Sequence, residues 1–316
     1  MLLALLLPLL LATAPDRDAP PFQFRIGFWN NLHHFLYVLG RDRNLAPDRV
    51  RAAVAGAPKD VDGLSARSEG ERSAWDDTVA FYAGGLSKKD AVFDADLVAI
   101  TRVLAASPDA SDLSGLGLDP RLVAALQRAA PVYRAVWWSR HLRADVDRRD
   151  ELQAQVAKHG AVLVKRLTAV YGTEWPAQPR TIDVAAYTDW AGAYSTDGGL
   201  IEVASTDAAI GGADGLETLL HEASHQWDDE IEKRLTAIAA QQGKRVPPGL
   251  SHAMIFYTSG AIVKEVIADH VPYAEKNGIW QRGNRAIKPL LDRYWLPYLR
   301  GQSTFDEAIA AILAAS

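Results

Sequence analysis

The residues most suggestive of chemistry are two histidines four positions apart with a glutamate between them, in the run His221-Glu222-Ala223-Ser224-His225. On an α-helix, positions i and i+4 project from one face a single turn apart, so both imidazoles can reach the same metal ion. Zinc binds histidine nitrogens at about 2.0–2.1 Å. The spacing therefore predicts a helical zinc site with His221 and His225 as two of its ligands.

Glu222 is rotated by one residue from His221 and would miss the ion, yet it could hydrogen-bond a water bound to that ion. Zinc lowers the pKa of such a water to about 7. Glu222 is therefore the predicted general base, which accepts the proton and later passes it to a leaving amine. The predicted reaction is metal-assisted hydrolysis, of a peptide bond. The alternative is a solvated helix with two surface histidines.

The surrounding sequence predicts the elements that hold this motif. Asp214 is the predicted N-cap of its helix, with Glu217 as the partner in a capping box and an end near Ala240. Leu219 and Leu220 lie on the opposite, apolar arc of that helix. Three short runs rich in β-forming residues precede it and predict a small antiparallel sheet at residues 181–187, 191–196 and 200–204.

This arrangement of strand, loop and helix resembles the zincin metallopeptidases, in particular the gluzincins. The resemblance implies a zincin-like core in which residues 199–204 form the edge strand that pairs with an extended substrate. The run from His221 to Trp227 is also similar to the motif of zinc aminopeptidases over seven residues. Those enzymes carry a glutamate as third ligand nineteen residues after the second histidine. In this sequence that position is Lys244.

The third metal ligand is left open between two residues of the next predicted helix, which begins with Ser251 as N-cap and ends near His270. His252 shares a stripe with Phe256 on the face expected to turn inward. Glu265, followed by Asp269, resembles the glutamate ligand of the gluzincins. The two candidates are about 140° apart around the helix, so they are mutually exclusive.

Two aspartates after the motif are weaker ligand candidates. Asp228 or Asp229 could bind the ion, but one turn beyond His225 an aspartate is better placed to orient an imidazole. The segment from Asp228 to Arg234 contains no histidine, which excludes the metzincin pattern. A charged transition state would need a further donor, and Tyr257 is the predicted catalytic tyrosine, with Tyr273 and Arg282 as alternatives.

Residues 28–37 form an unusual aromatic cluster that contains His33 and His34. Adjacent histidines point to different faces of a helix and cannot easily bind one ion together. Two interpretations stay open for this segment: a packing helix, or one wall of the substrate cleft.

Composition limits the class of protein. The 316 residues are 48% hydrophobic and 23% charged, as in ordinary globular proteins, and the net charge of −5 with no basic run argues against a nucleic-acid partner. Cysteine is absent, which excludes disulfides and a thiol nucleophile. A zinc site must therefore be built from His, Asp or Glu.

The first 14 residues carry no charge and are rich in leucine, and Ala12-Thr13-Ala14 fits the small-x-small pattern of signal peptidase sites. They predict a signal peptide of residues 1–14 and an exported protein, secreted or periplasmic, with no stable insertion in a membrane. An uncleaved apolar N-terminus is the alternative.

The whole chain predicts a mainly helical α+β protein. A helical region over residues 15–174 precedes the zincin-like catalytic region at 175–316, and the two are expected to form one compact unit. The predicted function is that of a secreted zinc metallopeptidase acting on peptides or proteins. The alternatives are an exported zinc-binding protein without activity and an amidase acting on cell-wall peptides.

Overall fold

The computed structural model describes residues 20–44, 62–189, 191–196 and 199–316. The predicted signal peptide, residues 1–14, lies outside these ranges. Among the described residues, no helix is both long enough and apolar enough to cross a membrane.

The first half of the described chain is helical apart from one short strand. Its elements are β1 (Phe22–Arg25), α1 (Phe28–Asn44), α2 (Glu69–Gly84), α3 (Ala95–Ala105), α4 (Pro120–Tyr133) and α5 (Ser139–Tyr171). Local chemistry sets several of the helix starts. Ser68 and Glu71 form a capping box before α2, and Asp94 caps α3. A π-helical turn, Arg134–Trp138, joins α4 to α5.

The second half contains the remaining strands and the helices that carry the predicted motif. The strands are β2 (Arg180–Ala185), β3 (Ala193–Thr196) and β4 (Leu200–Ala204). The longer helices are α6 (Gly212–Ser224), α7 (Asp228–Gln241) and α8 (Leu250–Val266). Shorter helices follow as α9 (Tyr273–Lys276), α10 (Ile279–Arg282), α11 (Lys288–Leu290), α12 (Leu296–Leu299) and α13 (Phe305–Ala315).

The sheet is mixed rather than antiparallel, which corrects the sequence prediction. Its strand order is β1-β2-β4-β3; β1 and β4 both run parallel to β2, and only β3 and β4 are antiparallel. The predicted edge strand, residues 199–204, is therefore an inner strand, and β3 occupies the edge. The turn between β3 and β4 predicts only the antiparallel pairing of those two strands. Strand β1 is distant in sequence from β2, so no local pattern predicts that these two strands pair.

The described residues bury two apolar clusters. One gathers helices α1, α2 and α4 around Phe35, Tyr82 and Trp137. The other holds the sheet against α5, α6, α8 and α13, and it includes Leu163 of α5 and Leu219 of α6. A domain boundary near residue 175 would divide helix α5 from the sheet and the later helices that share its apolar cluster. The fold class is confirmed as α+β with mainly helical content.

The aromatic segment at residues 28–37 is a packing helix. Helix α1 is buried along most of its length, and both of its histidines have tyrosine partners. His33 Nδ1 lies 2.8 Å from the hydroxyl of Tyr82, and His34 Nε2 lies 2.8 Å from that of Tyr194. Burial lowers the pKa of both histidines, that of His34 to about 4, so both rings are held neutral.

Helix α1 also covers a buried pair of acids on the sheet. Asp183 of β2 and Glu202 of β4 lie opposite each other in the parallel register, and both are fully buried. Asn30 of α1 donates a hydrogen bond to Glu202 Oε2 at 3.0 Å. Burial raises the pKa of Glu202 well above its usual value and that of Asp183 to about 7. The two carboxyls therefore hold protons more tightly than free side chains do.

Candidate metal centre

The helix that carries the motif begins differently from the prediction. Helix α6 starts at Gly212 after Gly211, which provides no side-chain cap, so the prediction that Asp214 is the N-cap was wrong. Asp214 lies in the first turn, where its carboxylate pairs with Lys276. Glu217 forms no capping box and instead accepts hydrogen bonds from His270 Nε2 at 2.5 Å and from the backbone N–H of Tyr273 at 2.8 Å. The carboxylates of Asp214 and Glu217 thus bind residues that are distant in sequence and do not cap their own helix.

The motif lies where this helix ends. Helix α6 stops at Ser224, a 3₁₀ turn spans His225–Trp227, and α7 continues from Asp228, so the single helix predicted to reach Ala240 is interrupted. The apolar side of the prediction is confirmed, because Leu219 and Leu220 are almost completely buried. That packing turns His221 and Glu222 toward a cleft on the opposite side.

Three histidines meet in this cleft. The Nε2 atoms of His221 and His252 are 3.3 Å apart. One ring nitrogen from each of His221, His225 and His252 lies within 4.8 Å of the others, which is the arrangement of a possible metal site. In a tetrahedral zinc site with Zn–N bonds of about 2.0–2.1 Å, two ligand nitrogens are about 3.3 Å apart. The separation of His221 and His252 thus fits two ligands of one zinc ion.

Helix α8 brings His252 to the group from its first turn. The helix begins at Leu250 after Gly249, whose φ of +76° favours glycine, and it ends at Val266, before the predicted His270. Phe256 lies one turn after His252 on this helix. Its ring packs against the rings of His252 and His221, with centroid distances of 4.8 Å and 4.0 Å. The apolar ring therefore supports one side of the histidine group.

The other ligand candidates lie elsewhere or act indirectly. Glu265 is thirteen residues beyond His252, about 20 Å along the helix, and its carboxylate forms an ion pair with Arg166. The structure therefore does not bring Glu265 to the histidines. Asp228 Oδ2 lies 2.8 Å from His225 Nδ1, the position from which a carboxylate orients an imidazole. Asp229 is exposed at the cleft and is not part of the histidine group.

The electrostatic setting favours the neutral form of two of the three histidines. Burial lowers the pKa of His221 well below its usual value, helped by the nearby His225 and His252, and burial also lowers the pKa of His252. Burial acts in the same direction on His225, but the hydrogen bond with Asp228 and the charge of Glu222 outweigh it and raise its pKa. Because Nδ1 of His225 faces Asp228, its Nε2 is left to bind a metal.

Glu222 lies beside the histidines and is held by the sheet. Its Oε1 is 4.0 Å from His221 Nε2, and its side chain is only 11% exposed. The hydroxyl and the backbone N–H of Ser195, on β3, lie near the carboxylate and act to lower its pKa. Burial nevertheless raises the pKa of Glu222. The sequence did not indicate a role for Ser195. The alternation of residue types predicts a strand at this position but does not show that the strand lies beside the motif.

The cleft around the site has a volume of about 1690 Å³ and is lined by both halves of the chain. Strand β3 and helix α6 form one side, while Phe93 and the exposed face of α3 form part of the other. Tyr273 and Arg282 also line it. Tyr257 does not: its hydroxyl donates to Asp292 Oδ1 at 2.8 Å and its ring contacts Trp280. The predicted catalytic role of Tyr257 is therefore not supported by its position.

Comparison of the chain with protein-family models, with curated proteins and with solved structures gave no match. The class of the site must therefore be inferred from its geometry. That geometry combines three converging histidines, an aspartate that orients one of them, and a buried glutamate beside the group.

Proposed function

We propose that this protein is a zinc-dependent hydrolase that cleaves peptide bonds, with a zincin-like catalytic region in its second half. The observation that carries the proposal is the convergence of ring nitrogens from His221, His225 and His252 within 4.8 Å, with the Glu222 carboxylate beside them. A purely structural zinc site has no need of that glutamate. Its burial and orientation therefore favour catalysis over an inactive zinc-binding protein.

The donor set fits zinc. Three imidazoles would hold the ion through neutral nitrogens and leave one tetrahedral position for water, the arrangement typical of catalytic zinc. Among the described residues Nδ1 of the buried His221 has no hydrogen-bond partner, while its Nε2 faces His252. A neutral ring with its proton on Nδ1 would offer Nε2 as a ligand. When bound, zinc would activate a water molecule and polarise the scissile carbonyl.

The role of Glu222 follows from its surroundings. A buried carboxyl with a raised pKa is a better base for a zinc-activated water than an exposed one, because its proton affinity is closer to that of the water. The hydroxyl and N–H of Ser195 lie near the carboxylate and favour its charged form. Glu222 would accept the proton from the water and hold it for the leaving amine.

The edge of the sheet supports a peptide as the substrate. The N–H of Ala204 donates to the carbonyl of Gly192 at 2.8 Å. This bond shows which residues of β3 form backbone hydrogen bonds with β4 and which alternate residues do not. Ala193 and Ser195 then occupy the positions whose backbone groups point away from β4, toward the cleft. The N–H of Ser195 lies near the Glu222 carboxylate, and the backbone groups of Ala193 would be available to pair with an extended chain. Such pairing at a sheet edge is a common mode of peptide recognition.

The decisive experiment compares the wild-type protein with Glu222→Gln. Metal analysis after zinc loading should give about one zinc per chain for both proteins. Digestion of a broad peptide library, followed by mass spectrometry, should show cleavage by the wild type and a rate lower by about 10²–10⁴-fold for the variant. Glu230→Gln, an exposed glutamate of α7 with the same change of charge, serves as the matched control.

Two results would overturn the proposal: a folded protein that binds no zinc, or peptide cleavage that survives in Glu222→Gln. Cleavage confined to cell-wall peptides would replace the general peptidase function with that of a cell-wall amidase, which uses the same residues. The prediction of export rests on residues 1–14 and is tested separately, by N-terminal sequencing of the protein recovered from its producing cell.

A further inference from the structure

Arg180 lies in the cleft with no acidic partner among the described residues. It begins strand β2 and lines the same cavity as the three histidines. Within the described ranges, its one side-chain hydrogen bond is donated to Gln226 Oε1. Gln226 directly follows the metal-site candidate His225, so the guanidinium lies against the segment that carries the site.

The position of Arg180 is fixed from two sides. Gln226 cannot turn its amide away, because its Nε2 donates to the carbonyl of Ala223 at 2.8 Å and leaves its oxygen facing Arg180. On the other side the guanidinium crosses the backbone of Gly199. A Cβ atom at residue 199 would clash with Nη1 of Arg180, and the φ of Gly199 is +86°. The glycine thus provides both the turn and the space that the arginine needs.

Within the part of the chain that the structure describes, most of the hydrogen-bonding capacity of the guanidinium is unused. Arginine offers five N–H donors, of which Gln226 uses one, and Nε of Arg180 is buried without a partner. A half-buried cation without a counter-ion is costly unless a ligand supplies the negative charge. The planar fork matches a carboxylate, which it can bind with two parallel hydrogen bonds.

The other arginines of the cleft are engaged or exposed. Arg41 donates to the hydroxyl of Tyr37, Arg282 donates to the carbonyl of Asn277, and Arg102 lies on the exposed face of α3. None of the three contacts the segment that follows His225. Arg180 is therefore the cation best placed to act on a substrate held at the histidines.

We propose that Arg180 binds a carboxylate of the substrate next to the bond that is cleaved, and so makes the enzyme selective for peptides that carry a negative charge there. This inference deepens the proposed peptidase function and rests on it. The carboxylate has two possible sources, the C-terminus of the substrate or the side chain of an aspartate or glutamate. The chemistry of recognition is the same for both, and the substrates used in the test distinguish them.

The test uses four short peptides of one sequence, with a free or amidated C-terminus, and with glutamate or glutamine near the cleaved bond. We expect wild-type kcat/KM to be higher by about 10-fold or more for peptides with one of the two carboxylates, the value of one charged hydrogen bond. Arg180→Gln should abolish that preference, and Arg180→Lys should retain part of it. Arg121→Gln, an exposed arginine far from the cleft, should behave as the wild type.

A second measurement separates this inference from the proposed function. In the Glu222→Gln background, calorimetry should give tighter binding for the carboxylate peptides than for the neutral peptide, and the added Arg180→Gln change should remove the difference. If no peptide is cleaved but this binding preference is present, the peptidase proposal fails and the role of Arg180 stands. If the preference is absent, or survives in Arg180→Gln with an unchanged melting temperature, the inference is wrong.

Discussion

His221 and His252 are 31 positions apart in the chain, yet their Nε2 atoms lie 3.3 Å apart. The contact exists because α6 and α8 pack against each other through buried apolar residues, including Leu219 and Met254. The packing brings the last turns of α6 to the first turn of α8. The metal centre is thus a property of the helix pair and not of the five-residue motif alone.

Replacement of His252 distinguishes the two candidates for the third ligand. His252→Ala should weaken zinc binding by more than the 10–100-fold that loss of a supporting residue costs. Glu265→Ala should leave the zinc dissociation constant unchanged, because it removes only an exposed ion pair with Arg166. Competition with a chromophoric chelator measures both constants. A larger loss of zinc affinity in Glu265→Ala than in His252→Ala would show that Glu265 is the third ligand.

Asp228 should matter for zinc affinity although it is not a ligand. Its carboxylate fixes the ring of His225 through Nδ1, so Asp228→Ala should weaken zinc binding by about 10–100-fold. Asp229→Ala, at the exposed neighbouring position, should have little effect. The same chelator competition tests both variants. A larger loss in Asp229→Ala would show that the wrong aspartate has been assigned.

Glu217 should stabilise the fold around the site. Glu217→Ala leaves the ring nitrogen of His270 and the N–H of Tyr273 without their acceptor in a buried setting. We expect the free energy of unfolding to fall by about 2–3 kcal/mol, measured by urea denaturation. Thr218→Ala removes one hydroxyl bond to a carbonyl of the same helix and should cost about 0.5 kcal/mol or less. Equal effects would rule out this role of the glutamate.

The buried carboxyl of Asp183 should make stability depend on pH. Its pKa is raised from 3.8 to about 7, chiefly by burial, so the folded state binds a proton that the unfolded chain releases. The stabilisation is complete below pH 4 and is lost as the pH rises toward 7. Asp183→Asn should therefore show a shallower fall in unfolding free energy between pH 5 and pH 8. Parallel pH profiles for variant and wild type would contradict the assignment.

The sequence predicted the parts of the site that depend on local periodicity. The one-turn spacing of His221 and His225, the apolar back of their helix and an orienting aspartate at position 228 or 229 all depend on positions close in the chain. Which of His252 and Glu265 joins the group could not be predicted, because the choice depends on where α8 crosses α6. Arg180 carries no local signal at all, since its partner Gln226 lies on another element.

Errors in the prediction came from competition between local and distant partners. Asp214 and Glu217 have the spacing of a capping box, but Lys276 and His270 bind their carboxylates instead. The prediction of an antiparallel sheet with residues 199–204 at its edge was wrong for a related reason. The turn before Leu200 correctly predicted the antiparallel pair, whereas no pattern near β2 shows that β1 will pair with it.

That pairing of β1 with β2 has a consequence for the order of folding. Phe22 lies opposite Arg180, so about half of the 316-residue chain separates the two partners. Contacts with such a long loop form slowly, while the helices between them need only near neighbours. Pulsed hydrogen exchange should find the amides of α2 and α4 protected before those of the sheet. The surroundings of the proposed base would then form late, because Ser195 comes near Glu222 only when β3 has joined the sheet.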